Sequence, residues 1–262
     1  MKIEVILSPA ELPALKQRDL SDAACVVFDV LRATSTFVTA LQNGAKAIVP
    51  VSEIPEALAA RQKHPDVLLG GERDGVTIRA HLTGGVDFDL GNSPRECTPD
   101  KVRDRTIVST TTNGTRALRA CAGAKTVLAA AFLNLTATAR FLQQFSPAQV
   151  VLVCAGTREN TALEDVLAAG ALCEMLVESS RGDDRTAQRA IAPQLSDSAE
   201  IAHRAYMQAK ADLAAAVCAS ENARRLLAIP ELRDDVPFCL QSDHFPLVVQ
   251  RANDGSGFVS VT

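Results

Sequence analysis

Tryptophan is absent from this 262-residue chain and tyrosine occurs once. Platforms that stack bases of single-stranded nucleic acid need more aromatic surface than that. The formal net charge of −4 also excludes a general polyanion binder or an electrostatic membrane binder. No apolar run reaches the ~18 residues of a membrane-crossing helix. The opening Met1-Lys2-Ile3-Glu4-Val5-Ile6-Leu7 is too short and too charged for a secretory signal and reads as a strand. Seven cysteines (Cys25, Cys97, Cys121, Cys154, Cys173, Cys218, Cys239) are odd in number and scattered, with no CxxC pair. A zinc site or redox motif is therefore not expected. Several cysteines lie in apolar runs and read as buried thiols, so the expected setting is reducing and cytoplasmic.

What is present is ordinary globular composition, 47% apolar and 22% charged. A chain of this length buries a large core without disulfide or metal staples. Strand-like runs at 2–7, 24–30, 45–51, 66–72, 106–111, 126–131 and 149–155 alternate with helical stretches at 34–43, 52–64, 115–122, 135–145 and 163–179. Ser52 is placed to cap the second of these helices, with Pro55 in its first turn. Residues 24–30 are almost wholly apolar, as expected of a strand covered on both faces. The tail returns to strands at 236–240, 247–250 and 258–261, with Asn253-Asp254-Gly255-Ser256-Gly257 marking a hairpin turn between the last two. The expected fold class is α/β: a three-layer α/β/α arrangement with a largely parallel central sheet, mixed toward the C-terminal strands. One domain spans 1–262. A helical cover occupies about 183–229, with 198–227 patterned as one long helix or a broken pair.

Ligands of open parallel sheets bind beyond the carboxyl ends of the strands. Arg outnumbers Lys 20 to 7, so the positions of the arginines carry the information. The segments that follow strands are Asp29-Val30-Leu31-Arg32-Ala33-Thr34-Ser35-Thr36, Gly70-Gly71-Glu72-Arg73-Asp74-Gly75, Thr110-Thr111-Thr112-Asn113-Gly114-Thr115-Arg116 and Gly156-Thr157-Arg158-Glu159-Asn160. The loop Gly91-Asn92-Ser93-Pro94-Arg95-Glu96 joins them. Arg32, Arg73, Arg95, Arg116 and Arg158 would then converge on one sheet edge, where their planar forks match phosphate, carboxylate or sulfonate. Hydroxyls and backbone N–H groups at helix starts favour anions too. The carboxylates Asp29, Glu72, Asp74, Glu96, Glu164 and Asp165 occupy the same loops. They either hold the arginines in ion pairs or hold Mg²⁺, which bridges carboxylate to phosphate. Each signal has a plainer counterpart: Asp29 as a helix cap, the Thr-Asn-Gly run as a turn, Glu164-Asp165 as first-turn acids and Gly70-Gly71 as a tight turn. His81 and His244 lie in loops and His64 and His203 on helices, where they read as surface residues.

Common phosphate and hydrolase motifs are missing. GxxxxGK[ST], a strand-linked GxGxxG and GxSxG do not occur. Asp29-Val30-Leu31-Arg32-Ala33-Thr34 has Leu31 where a DxDxT phosphatase loop needs its second Asp.

At these residues the chain resembles the 2-phosphosulfolactate phosphatase family. The matching stretches are Phe28 to Thr36, Gly71 to Gly75, Gly91 to Glu96, Thr112 to Ala117, Cys154-Ala155-Gly156, and Glu164-Asp165 with Ala169-Gly170. Val236-Pro237-Phe238-Cys239 fits more loosely. The resemblance implies a layered α/β/α fold and a Mg²⁺-dependent phosphatase. It would convert 2-phospho-3-sulfolactate to 3-sulfolactate and phosphate, a step of coenzyme M biosynthesis.

Residue roles follow from chemistry. Asp29, Arg32 and Glu72 are the expected catalytic residues. Asp29 and Glu72 would hold the metal, supported by Asp74, Glu164 and Asp165. Thr34, Ser35, Arg73, Asn92, Ser93, Arg95, Thr111, Asn113, Gly114, Thr115, Arg116 and Arg158 would bind a small anion carrying phosphate, carboxylate and sulfonate. Nucleic acid and membrane are not expected partners, and a homo-oligomer is compatible with the sequence. The alternatives are a phosphatase for another small phosphorylated hydroxy acid and a non-catalytic sensor of small polyanions.

Overall fold

The computed structural model describes residues 1–179 and 192–261. Its strands are β1 (Lys2–Ile6), β2 (Ala23–Phe28), β3 (Ala47–Pro50), β4 (Leu68–Arg73), β5 (Val76–Thr77), β6 (Thr106–Thr110), β7 (Thr126–Ala130), β8 (Gln149–Cys154), β9 (Gln194–Leu195), β10 (Val248–Arg251) and β11 (Phe258–Val261). They form one sheet in the order β5-β4-β6-β3-β11-β10-β7-β2-β8-β1-β9. All seven strands expected in the first two-thirds are present, trimmed by one or two residues at most of their ends. The short edge strands β5 and β9 were not foreseen.

Every residue of β2 is buried, as its apolar run requires. Ala24, Val26 and Phe28 face one side layer, packing with the helices Leu135–Phe145 and Leu163–Ser179. Ala23, Cys25 and Val27 face the other, packing with Ala33–Gln42 and Gly114–Ala120. This period-two split makes the three layers. A smaller core of Ala57, Val67, Leu69, Ile78, Phe88 and Val108 sits under the helix Ile54–Lys63. Six of the seven cysteines are buried and none is paired. Burial pushes the thiols of Cys97, Cys173 and Cys239 up to about 12, so they act as small apolar residues.

The C-terminal hairpin lies in the middle of the sheet rather than at its edge. β10 pairs antiparallel with β7, and β11 antiparallel with β3, flanking two parallel blocks. Following the pairing senses, β4, β6 and β3 run opposite to β7, β2, β8 and β1. The expectation of a single shared carboxyl edge therefore needs correction. Five pairing steps separate β6 from β2. A sheet twist of roughly 20–25° per step turns the two antisense blocks toward each other. Their carboxyl ends meet at the start of the helix Ala33–Gln42: a Cβ added at Gly114, just after β6, would lie 2.8 Å from Asp29 Oδ2, just after β2.

Three further expectations are corrected. Residues 236–240 are not a strand but fall on the helix Asp235–Cys239, whose buried residues Asp235, Val236 and Cys239 follow helical spacing. Pro237 is tolerated in the first turn, where its missing N–H has no partner to lose. Ser52 is not a cap: the helix Ile54–Lys63 starts after Glu53, and the Ser52 N–H donates to Glu56 Oε2. Of the cover, 183–191 lie outside the described residues. Its remainder holds the edge strand β9, three α-helices, Asp197–Ala209, Leu213–Cys218 and Glu221–Leu227, and the 3-10 turn Lys210–Asp212 between the first two helices. Each α-helix starts where Ser196, Asp212 or Ser220 accepts a backbone N–H three residues on, and these caps break the run. His203 is not free on the surface either, since it is half-buried against Glu174 at 2.5 Å.

Candidate active site

Asp29 ends the apolar run of β2 and starts the site. The Ala33 N–H donates to its Oδ1 (3.1 Å), and its own N–H donates to Thr34 Oγ1 (3.1 Å). Asp29 thus holds the first N–H of the helix Ala33–Gln42 from three residues before the N-cap position, which Arg32 occupies without a side-chain cap. It also lines a cleft of about 70 Å³ with Arg32, Glu72, Asp74, Asn92, Thr112, Asn113, Arg158 and others. Burial is the largest cause of a rise in its carboxyl pKa to about 7. The Ala33 N–H pulls it down, Glu72 and Glu164 push it up, and Arg32 pulls it down.

Glu72 reaches the cleft from the end of β4. Its Oε1 accepts from the N–H and Oγ1 of Thr112 (3.0 and 2.9 Å), and its Oε2 from the Gly75 N–H (2.6 Å). It thus ties the β4 turn to the loop after β6. That loop can approach only because residue 114 is glycine: a Cβ there would also lie 2.9 Å from the Ala33 Cβ. Arg32 is buried, donating to Asp235 Oδ2 and to the Gly75 carbonyl, both at 2.6 Å. Asp235 accepts from Ser93 Oγ as well (2.6 Å).

The five expected arginines do not all converge. Arg32 and Arg158 line the cleft. Arg73 donates to the Glu72 carbonyl and to Thr110 (2.7 and 3.2 Å) instead. Arg95 reaches Asp234 and Asp235 at 3.4 and 3.7 Å, and Arg116 pairs with Glu159 at 2.7 Å. The hydroxyls divide similarly. Thr34 accepts from Asp29, Ser35 donates to the Val30 carbonyl (2.7 Å), and Thr111 and Thr115 cap each other at 3.3 Å. They shape the loops, while Asn92, Thr112 and Asn113 line the cleft.

Asp165 receives the N–H of Val30 (2.8 Å) and of Gly156 (3.0 Å), joining the ends of β2 and β8. Burial, then Glu164 and Asp29, hold its pKa well above the usual carboxylate range. Glu164 accepts from Asn222 Nδ2 (2.8 Å) through Oε1, and its buried Oε2 has no hydrogen-bond partner among the described residues. Glu164 lines a second cavity of about 180 Å³, which shares Thr157, Arg158, Asn222 and Arg225 with the first.

An unpartnered buried carboxylate oxygen, beside carboxylates that raise one another's proton affinity, suits a hard cation. Among the described residues no three His, Cys, Asp or Glu side chains form a cage that could hold a metal by themselves. The donors would fit an ion that keeps most of its water, as Mg²⁺ does.

Five site residues are absent from the set expected from the sequence: Thr112, Thr157, Asn222, Arg225 and Asp235. Asp235 lay beside a run read as strand, and Asn222 and Arg225 lay within the cover. Thr112 and Thr157 lie in loops after strands, where nothing in the residue type marks them out from neighbouring hydroxyls.

A layered α/β/α protein whose cleft gathers buried carboxylates, arginines and the start of a helix is equipped for hydrolysis of phosphate monoesters. The particular family follows from comparison. A model of the 2-phosphosulpholactate phosphatase family matches residues 9–254. The "Probable 2-phosphosulfolactate phosphatase" of Caldanaerobacter subterraneus subsp. tengcongensis is 37% identical over 246 residues, 92% of each chain. Those of Thermotoga petrophila and Clostridium acetobutylicum, under the same name, are 39% and 33% identical, over 87% and 97% of this chain and 88% and 98% of theirs. The chain belongs to the 2-phosphosulfolactate phosphatase family, a family of phosphoric monoester hydrolases.

Proposed function

We propose that this protein hydrolyses 2-phospho-3-sulfolactate to 3-sulfolactate and phosphate, with Mg²⁺ as cofactor. Family membership supports the substrate. The observation that carries the chemistry is Asp29, buried at the cleft with its pKa raised to about 7 beside Arg32 and Glu72.

Charge balance supports the cofactor. The cleft is lined by three carboxylates, Asp29, Glu72 and Asp74, and three arginines, Arg32, Arg158 and Arg225. A substrate bearing phosphate, carboxylate and sulfonate would enter a site with no net positive charge. Mg²⁺ held by Asp29 and Glu72 would neutralise charge on the phosphate oxygens. Asp74 stands next to them, exposed, at the β4–β5 turn.

The chain's own groups do the rest. Arg32, fixed by Asp235 and by the Gly75 carbonyl, offers a preorganised guanidinium to the phosphate, which needs no reorientation as charge builds. The start of the helix Ala33–Gln42 adds a positive dipole end at the same place. A carboxyl near 7 is poised to take a proton from attacking water at neutral pH, or to attack phosphorus itself and form an aspartyl phosphate. Acid quench of a single turnover, then borohydride reduction and mass analysis of the Asp29 peptide, separates the two routes: only an aspartyl phosphate is reduced, releasing phosphate and leaving homoserine at position 29.

The test of function is phosphate release from 2-phospho-3-sulfolactate with Mg²⁺ and with chelator, alongside 2-phospholactate, phosphoglycolate and phosphoglycerate. Release that prefers the sulfonate ester and stops with chelator is expected. Equal rates on all four would overturn the substrate, and undiminished release in chelator would overturn the cofactor.

A further inference from the structure

Three arginines line the cleft, and among the described residues only Arg32 has a carboxylate partner. Arg158 and Arg225 stand where the two cavities meet, in the lining of both. Arg225 is the better fixed. It rides on the helix Glu221–Leu227, and its Nη2 donates to Asn222 Oδ1 (3.0 Å). The Asn222 amide in turn donates to the Leu31 carbonyl (2.9 Å) and to Glu164 Oε1 (2.8 Å). Arg225 is thereby aimed by a residue anchored to both the Asp29 loop and the buried carboxylates.

One face of this guanidinium is unanswered. Its Nε is buried and, among the described residues, has no hydrogen-bond partner. A buried donor without an acceptor is costly, and a charged one more so. An acceptor that arrives with the substrate removes the penalty. Nη2 also lies near Gly75, 3.9 Å from where a Cβ would stand, and the Gly75 carbonyl holds Arg32. Two guanidiniums thus flank one glycine, the first tied to Asp235 and the second without a counter-ion among the described residues. An ester carrying a single phosphate would occupy the first and leave the second unmatched. A substrate with another anionic group would match both.

We propose that Arg225, assisted by Arg158, receives the second anionic group of the substrate, a carboxylate or sulfonate, and thereby sets the preference for phosphate esters of acids. This rests on the phosphatase reading above. A planar fork suits either oxyanion, because two parallel N–H donors meet two oxygens.

The test is steady-state kinetics with Mg²⁺ on 2-phospho-3-sulfolactate and 2-phospholactate, comparing wild type, Arg225→Ala and Arg225→Lys. For Arg225→Ala, KM for the sulfonate ester should rise about 30-fold while kcat changes less than about threefold, the loss of one charged hydrogen-bonding group. Added guanidinium should restore part of the loss, which a merely structural defect would not allow. Arg225→Lys should fall between the two, since a point charge replaces the fork. Equal KM effects on both esters assign the carboxylate to Arg225, and a larger effect on the sulfonate ester assigns the sulfonate. A fall in kcat at constant KM, or kinetics like wild type, overturns the inference while leaving the phosphatase reading intact. If wild type releases no phosphate from either ester, that reading fails instead. Circular dichroism checks folding, and should Arg225→Ala not fold, an unchanged KM in Arg225→Lys is sufficient to overturn the proposal.

Discussion

Replacing Asp29 by Asn should stabilise the protein while it stops turnover. In the unfolded chain an aspartic acid ionises near 3.8, and folding raises Asp29 to about 7. The native state holds this proton more tightly, so the group's contribution to stability is complete below pH 3.8. It falls as pH rises and is lost above about pH 7. The gap corresponds to about 4 kcal/mol. Asparagine keeps an oxygen to accept the Ala33 N–H, as Oδ1 does now at 3.1 Å. It cannot ionise against Glu72 and Glu164. In chelator, urea unfolding of the two proteins should therefore agree near pH 4 and diverge steadily, with Asp29→Asn more stable by about 4 kcal/mol at pH 8. Titrating groups that do not interact with Asp29 cancel in the difference, and Asp165, whose pKa the Asp29 charge helps to raise, shifts the difference in the same sense. Mg²⁺ added at pH 8 should raise the urea midpoint of wild type and leave that of the variant where it was, because a ligand stabilises only the state that binds it. A stability difference that does not change with pH would refute the argument that burial raises the Asp29 pKa. Near-normal phosphate release by Asp29→Asn would reduce the residue to a helix cap.

Asp235→Asn should act in the opposite sense. It leaves Arg32 buried without its counter-charge, and breaking one partner of a buried ion pair costs about 3–5 kcal/mol. Urea midpoints and kcat should fall together, since Arg32 also loses the group that aims it. Gly170→Ala should destabilise despite the helix-favouring residue, because its Cβ would lie 2.1 Å from the Ala202 carbonyl where two helices cross. A loss of about 2 kcal/mol is expected from overpacking backbone against backbone, and a gain would show that the helices slide apart freely.

The local chemistry of this chain is written near each residue, and its long-range pairing is not. The run ending at Asp29, the glycine that permits Thr111 to Arg116 to approach it, and the acids at Glu164-Asp165 each carry a short-range signal. Each lies in or beside the cleft. The arginines show where that kind of reading stops. Arg73, Arg95 and Arg116 follow the same pattern of hydroxyls and glycines as Arg32, yet each is taken up by a neighbour that the one-dimensional pattern does not reveal: the Glu72 carbonyl and Thr110, Asp234 with Asp235, and Glu159. What decides an arginine's place is the set of acceptors around it in three dimensions: a carbonyl and a hydroxyl hold Arg73, carboxylates hold Arg95 and Arg116, and Arg32 stays in the cleft although Asp235 pairs with it.

The same limit explains why Arg225 was missed. Ser196, Asp212 and Ser220 are cap-forming residue types, but 198–227 reads as one long helix or a broken pair until their side chains are seen to accept the N–H three residues on. Nothing local says that the third of the cover helices lies over the Asp29 loop. That contact is made by Asn222, whose amide bridges Leu31 and Glu164 across 191 and 58 positions of chain. The hairpin of β10 and β11 poses the problem at the scale of the fold. Its turn is plain in Asn253 to Gly257, but its insertion between β7 and β3 reverses one block of the sheet against the other. A cleft between two carboxyl edges, rather than along one, follows from that insertion. The residues on each side could be read from the sequence, but their meeting depends on the twist of the sheet between them.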